Sequence, residues 1–231
     1  MSAIAGVVFA DGRDVTAALL AGIVRAATTR GFDGVSEWHS GPAGLIRFHH
    51  ATTPEAVGEA QPLAGPSGAV IAFDGRLDNR ADLLALLGDR GRSLAAAPDV
   101  DIALALFEAR GEAMLDALVG DWAIAVWQPD PRRLFLARSP GGWRPLLWTF
   151  DGTRFAFATE PRALVVGLGL ERRLNEAAIG EMIAARFVSY TETFWDGIQR
   201  LGQGAALVFE KGAVRGWQWH GHAFEDQSRL S

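Results

Sequence analysis

Apolar and polar positions fall into short blocks along this chain. Residues 3–9 (Ala-Ile-Ala-Gly-Val-Val-Phe) form an unbroken apolar run closed by Asp11-Gly12, which predicts a buried strand and a turn. Val15 to Thr28 is alanine-rich with apolar residues at helical spacing and predicts a helix. Residues 43–48 and 69–73 are further strand candidates, and the three prolines within 51–67 make that stretch a loop. Asn79 stands where it would cap a helix running to Leu87, and Asp99 precedes a second helix over 100–110, ended by Gly111. A short helix over 113–118 leads into a strand over 122–127, and 134–137 pairs back on it as a hairpin. A second hairpin joins 146–150 to 155–158. Short helices follow at 161–166 and 176–185, then two strands, 205–209 and 213–219, around Lys211-Gly212.

Paired helices between groups of hairpins do not suit a regularly alternating parallel sheet. They predict an α+β fold, with antiparallel sheets buried between helices. The 231 residues suffice for one large domain, set at 1–222, with a polar tail over 223–231.

Composition narrows the chemistry. A net charge of −5 offers no basic excess for nucleic acid or an anionic membrane surface. No apolar stretch reaches the roughly 18–20 residues of a membrane span, and no basic residues precede the first apolar run as in a signal peptide. A cytoplasmic location is the default expectation. The chain has no cysteine, which excludes disulfides, thiolate metal sites and a cysteine nucleophile. Its five histidines show no metal spacing backed by carboxylates; His49 and His50 adjoin on a strand and are expected to point to opposite faces. The eight tryptophans fall mostly in the hairpins and near the end, and predict packing.

The order of short motifs resembles the N-terminal glutaminase domain of asparagine synthetases, a class II glutamine amidotransferase. Met1-Ser2-Ala3-Ile4-Ala5-Gly6 resembles that family's opening Met-Cys-Gly-Ile-Ala-Gly, and Arg30-Gly31-Phe32-Asp33-Gly34 its Arg-Gly-Pro-Asp-Gly. Gln61-Pro62-Leu63 resembles a segment before the central strand. Phe73-Asp74-Gly75-Arg76-Leu77-Asp78-Asn79 resembles Phe-Asn-Gly-Glu-Ile-Tyr-Asn. Asp99-Val100-Asp101, Gly120 to Trp127, Ala137 to Leu146 and Phe157-Ala158-Thr159-Glu160 continue the series, which runs to about residue 219. Each motif alone is weak; their collinearity is specific. The resemblance implies the Ntn-hydrolase fold, a four-layer αββα sandwich.

It also implies a site, and this sequence departs from it. The family's N-terminal cysteine attacks the glutamine amide while its own α-amine shuttles the proton. An asparagine side chain and a glycine N–H hold the oxyanion, and an arginine and an aspartate hold the substrate's carboxylate and amine. Here the nucleophile position is Ser2, either a working hydroxyl freed by removal of Met1 or merely a small residue that permits that removal. The oxyanion position is Asp74-Gly75. An ionised carboxylate only accepts hydrogen bonds where a donor is required, and losing one such donor costs about 2.7–4 kcal/mol. Arg47 and Asp99 fall at the substrate-holding positions; they would clamp an amino acid, form a structural ion pair, or, for Asp99, cap a helix. Ala3 and Ser139 replace a family glycine and aspartate.

The Ser-Gly-Gly-x-Asp-Ser loop of a synthetase domain is absent from these 231 residues, so ATP and Mg2+ are expected only in a separate synthetase domain, with no cofactor in this chain. The sequence stops where a linker to that domain would begin, as an excised domain or stand-alone remnant would. Loss of both Cys and Asn resembles β-lactam synthetases and lasso-peptide macrolactam cyclases, which use an amine already on the substrate. The leading expectation is therefore a non-hydrolysing half of an amide-forming synthetase. Its partners would be a synthetase domain or subunit, a peptide substrate, or a second copy in a homodimer, without nucleic acid or membrane. The alternatives are an amidohydrolase using processed Ser2 and a glutamine- or asparagine-binding module.

Overall fold

The apolar run after Ser2 forms β1 (Ala3–Phe9), and the alanine-rich stretch forms α1 (Ala17–Ala26), whose first turn is capped by the Thr16 hydroxyl accepting from the Leu19 N–H. The computed structural model describes residues 2–27, 29–52, 56–186 and 188–221. Next come β2 (Gly34–Ser40), β3 (Ala43–His49), β4 (Leu63–Ala64) and β5 (Val70–Leu77). Helices α2 (Arg80–Leu86), α3 (Asp89–Ser93) and α4 (Asp99–Arg110) follow, then a 3₁₀ turn over Gly111–Ala117. The chain returns to strands with β6 (Gly120–Gln128), β7 (Arg133–Arg138), β8 (Leu147–Phe150) and β9 (Arg154–Ala158). It finishes with α5 (Pro161–Val165), α6 (Glu176–Ile183), β10 (Gln199–Arg200), β11 (Ala205–Glu210) and β12 (Ala213–Gln218).

These strands make two six-stranded antiparallel sheets, ordered β10-β8-β9-β1-β3-β2 and β12-β11-β7-β6-β5-β4. The strand period of two explains the layers. In β1, Ala3, Ala5 and Val7 pack outward under α1 and α5, against Leu20, Ile23 and Leu164. Ile4 and Val8 face inward and meet Val70, Ala72, Ala123 and Leu136 of the other sheet. The opposite faces of β5 and β6, Ile71, Phe73, Trp122 and Ile124, are roofed by α2 and α4. The result is the four-layer αββα sandwich expected from the sequence. Helix α4 buries Val100 and every residue from Ile102 to Phe107, which is why its sequence shows no broad polar stripe.

Several local expectations need correction. Strand β2 was not anticipated; it is an exposed edge strand with no clean alternation. The proline-rich loop contains the two-residue β4. Asn79 stands at the N-cap of α2 but makes no cap bond; its amide instead donates to the Ala117 carbonyl and accepts from the Val119 N–H, tying α2 to the entrance of β6. Asp99 lies within α4 rather than before it, and Pro98 is the N-cap residue. Trp122 and Trp127 are buried, as a packing role requires, but Trp143 is exposed. Among the described residues no helix is long and apolar enough to cross a membrane. The polar tail over 223–231 lies outside the described residues.

Candidate functional site

Period-two alternation places the site. Ser2 continues the inward row of Ile4 and Val8, Arg47 that of Ala43 and Leu45, Asp74 that of Val70 and Ala72, and Asp121 that of Ala123 and Ala125. Each row is apolar along the inter-sheet core and turns polar at its end. Four polar side chains from two sheets therefore converge where the sandwich opens.

Arg144 joins them, and the five form one chain of hydrogen bonds. The Ser2 hydroxyl donates to Asp74 Oδ1 at 2.5 Å. Arg47 Nη1 donates to the same oxygen at 3.0 Å, and Arg144 Nη1 approaches it at 3.5 Å and Ser2 Oγ at 3.4 Å. Arg144 Nε donates to Asp121 Oδ2 at 3.1 Å. Asp74 is 1% exposed, Arg47 5% and Ser2 8%, so the pairs sit in low dielectric where removing one partner strands the other. Three donors on one carboxylate oxygen make Asp74 an acceptor here. Gly75, beside it, has φ +153°, and a Cβ would lie 2.2 Å from the Asp121 carbonyl oxygen; only glycine lets β5 run this close to β6.

Arg47 also faces Glu59, Nη2 to Oε2 at 3.8 Å. Burial pushes the Glu59 carboxyl above the usual glutamate range, with the Arg47 charge opposing it. Asp99 is engaged elsewhere: Oδ2 accepts from the Leu77 N–H at 2.8 Å and Oδ1 from Arg80. Arg47 and Asp99 are therefore not paired with each other, and Asp99 caps no helix; it fastens the end of β5 to the start of α4. Ser2, Arg47, Gly75 and Asp99 do line one cavity of about 380 Å3, with Glu59, Arg80 and Arg144.

The structure brings together Ser2, Arg47, Asp74 and Gly75, which sequence reasoning singled out, and sets beside them Arg144, Asp121, Glu59 and Arg80, which it did not. Arg144 and Asp121 stood inside the motifs already noted, and Asp121 could have been found from its register with Ala123. Glu59, in a loop, carried no signal. Ser139 is fully buried; its hydroxyl accepts from the Trp122 N–H and lies 3.5 Å from Asp121 Oδ1, so this position supports β6.

Other motifs prove structural. The Gln61 side chain bonds both backbone groups of Phe73, donating to its carbonyl at 3.1 Å and accepting from its N–H at 2.7 Å, like an extra strand beside β5. Arg30 and Glu160, from motifs 130 residues apart, form an ion pair at 2.5 Å. Arg138 is buried and donates to the carbonyls of Gly142, Arg144 and Leu201; burial, then the Arg200 charge, brings it down to about 10, against the pull of Asp121. The expectation that His49 and His50 oppose each other fails because β3 ends at His49. Both line a second cavity of about 760 Å3, and His49, held by the Ser36 hydroxyl at 2.6 Å, is lowered by burial and then by Arg47.

Residues 1–220 match the model of a family described as the glutamine amidotransferase domain. The chain is 27% identical over 181 residues to the glutamine-hydrolyzing asparagine synthetase 3 of Bacillus subtilis, covering 73% of this chain and 29% of that protein. To asparagine synthetase 2 of the same organism it is 25% identical over 201 residues, covering 84% and 26%. The chain thus spans less than a third of the length of these relatives. Among solved structures it superposes on the glutamine phosphoribosylpyrophosphate amidotransferase of B. subtilis with a TM-score of 0.67 at 15% identity, over 94% of this chain and 49% of that one. A structure described as the allosteric regulatory enzyme of purine biosynthesis gives 0.68 at 14%, with the same coverage. These two likenesses concern the fold, and the family match carries the relationship.

Proposed function

Because the chain belongs to the glutamine amidotransferase domain family represented in asparagine synthetases, we propose that it is a glutaminase-type domain that no longer hydrolyses glutamine. On this reading it serves as the structural and interaction half of an ATP-dependent amide-forming, macrolactam-type synthetase. ATP and Mg2+ would then act in the synthetase module, and the amine would come from the substrate itself rather than from ammonia.

One observation carries the reading. Asp74, at the position where the family places an amide donor, is a buried carboxylate receiving Ser2, Arg47 and Arg144 on a single oxygen. A developing oxyanion beside it would meet an acceptor and a negative charge. Arg47, which would hold the substrate carboxylate, is drawn to Asp74 and Glu59, and Asp99, which would hold the amine, to Arg80 and Leu77. Calorimetry with glutamine and asparagine should give no heat. Titration with the associated synthetase module should give saturable binding. Heat with glutamine and none with the module would favour the amino-acid-binding alternative.

A second reading rests on the 2.5 Å bond from Ser2 to Asp74, a hydroxyl already aimed at a proton acceptor. It is an amidohydrolase whose Ser2 is exposed by removal of Met1. It requires intact mass spectrometry to show that removal and Ser2→Ala to abolish turnover.

A further inference from the structure

The exposed arginines divide into two groups. Some are answered within the fold, as Arg76 is by Asp78, Arg92 by Asp89 and Arg173 by Asp196. Arg25, Arg162 and Arg172 are exposed too, but among the described residues none of their guanidinium groups has a hydrogen bond or an ion pair. They gather along one groove made of two adjoining hollows that share Arg162 and Val166. The first, about 470 Å3, lies between α1 and the end of α5, with Leu19, Arg25 and Leu168 in its wall. The second, about 380 Å3, is walled by Pro161, Val165, Arg172 and Trp195. No carboxylate lines either hollow. Arg110, Arg132 and Arg186 also lack a side-chain partner among the described residues, but they line neither.

The groove has a fixed frame. Gly22 of α1 packs under the Gly167 carbonyl, where a Cβ would sit at 2.9 Å, so the two segments close the floor between them. Trp195 is held as a wall by its bridge to Leu174 and by the Thr193 hydroxyl, which accepts from its N–H at 3.1 Å. The carboxylates of the neighbouring cleft, which shares Pro161, Arg162 and Trp195, are engaged already. Glu160 receives Arg30 and the Thr29 hydroxyl, Glu181 the N–H groups of Val188 and Ser189, and Glu192 the Asn175 amide. Three cations of a chain with net charge −5 thus stand along apolar walls without a counter-charge. The overall charge repels nucleic acid and anionic membranes. A protein segment that carries both carboxylates and an apolar side chain complements the groove in charge and in polarity.

We propose that this groove binds an acidic segment of a partner protein, with an apolar side chain in the Trp195 hollow and carboxylates on Arg162, Arg25 and Arg172. The groove shares no residue with the Ser2 cavity, so its occupancy is independent of whether glutamine is hydrolysed. Fluorescence anisotropy with a short dye-labelled peptide of glutamate pairs separated by single leucines tests it. The peptide should bind saturably at low salt, and less tightly as salt rises. Arg162→Glu reverses the charge common to both hollows and should weaken binding about tenfold or more; Arg25→Ala and Arg172→Ala should each weaken it about two- to fivefold. Arg110→Glu makes the same charge change away from the groove and should leave the affinity as it was. The two alanine variants decide the matter even if Arg162→Glu fails to fold. A peptide with serine in place of leucine should bind less tightly. Absence of saturable binding, an equal loss in Arg110→Glu, or indifference to the leucines would overturn the proposal. So would tighter binding of dodecanoate than of the peptide, which would assign the groove to a fatty carboxylate.

Discussion

The cluster at Ser2 and the clasp at Asp99 line the same cavity but do different work. The cluster crosses the sandwich: Ser2 and Arg47 come from one sheet and Asp74 from the other, all nearly dry. The clasp stays on one side, fastening β5 to α4 through Arg80, Asp99 and the Leu77 N–H in a partly exposed setting. A substitution in the first changes both chemistry and the joining of two layers. A substitution in the second loosens a scaffold contact at small cost to stability.

The contrast is sharpest in Arg47→Met. It strands Asp74 without its shortest cationic contact and should cost about 3–5 kcal/mol in a denaturant titration. A loss below about 1 kcal/mol would mean that the cluster is slack. Asp74→Asn should come next, at about 1.5–3 kcal/mol, since hydrogen bonds to a charged group are exchanged for neutral ones. Arg80→Ala should cost only about 1 kcal/mol, because its pair with Asp99 is partly exposed; a cost equal to that of Arg47→Met would erase the distinction. The smallest effect is expected at Glu59. Its folded value lies above the usual range, so the folded state holds the proton more tightly than the unfolded chain. Its contribution is favourable below the ordinary glutamate range and is lost as pH rises through the raised value. Glu59→Gln should therefore leave melting unchanged in acid and raise it at neutral pH relative to wild type.

Much of this was legible in the sequence where one period dominated. The run at residues 3–9 and the hairpins placed β1, β6, β7, β8 and β9, and the order of motifs placed Ser2, Arg47, Asp74 and Gly75 together. What escaped depended on distance in sequence. Glu59 reaches Arg47 from a loop with no periodicity, and Arg80 reaches Asp99 from α2 to α4, with α3 between them in the chain. Asn79 looked like a cap because local spacing cannot show that the Ala117 and Val119 backbone groups lie within reach. Strand β2 escaped because an edge strand needs no apolar face.

The most direct test is ammonia release from glutamine by the purified chain, after mass spectrometry has established whether Met1 is present. With a carboxylate fixed at the proposed oxyanion position, release should not exceed the buffer background, with or without Met1. Sustained turnover that disappears in Ser2→Ala would contradict the loss of glutaminase chemistry.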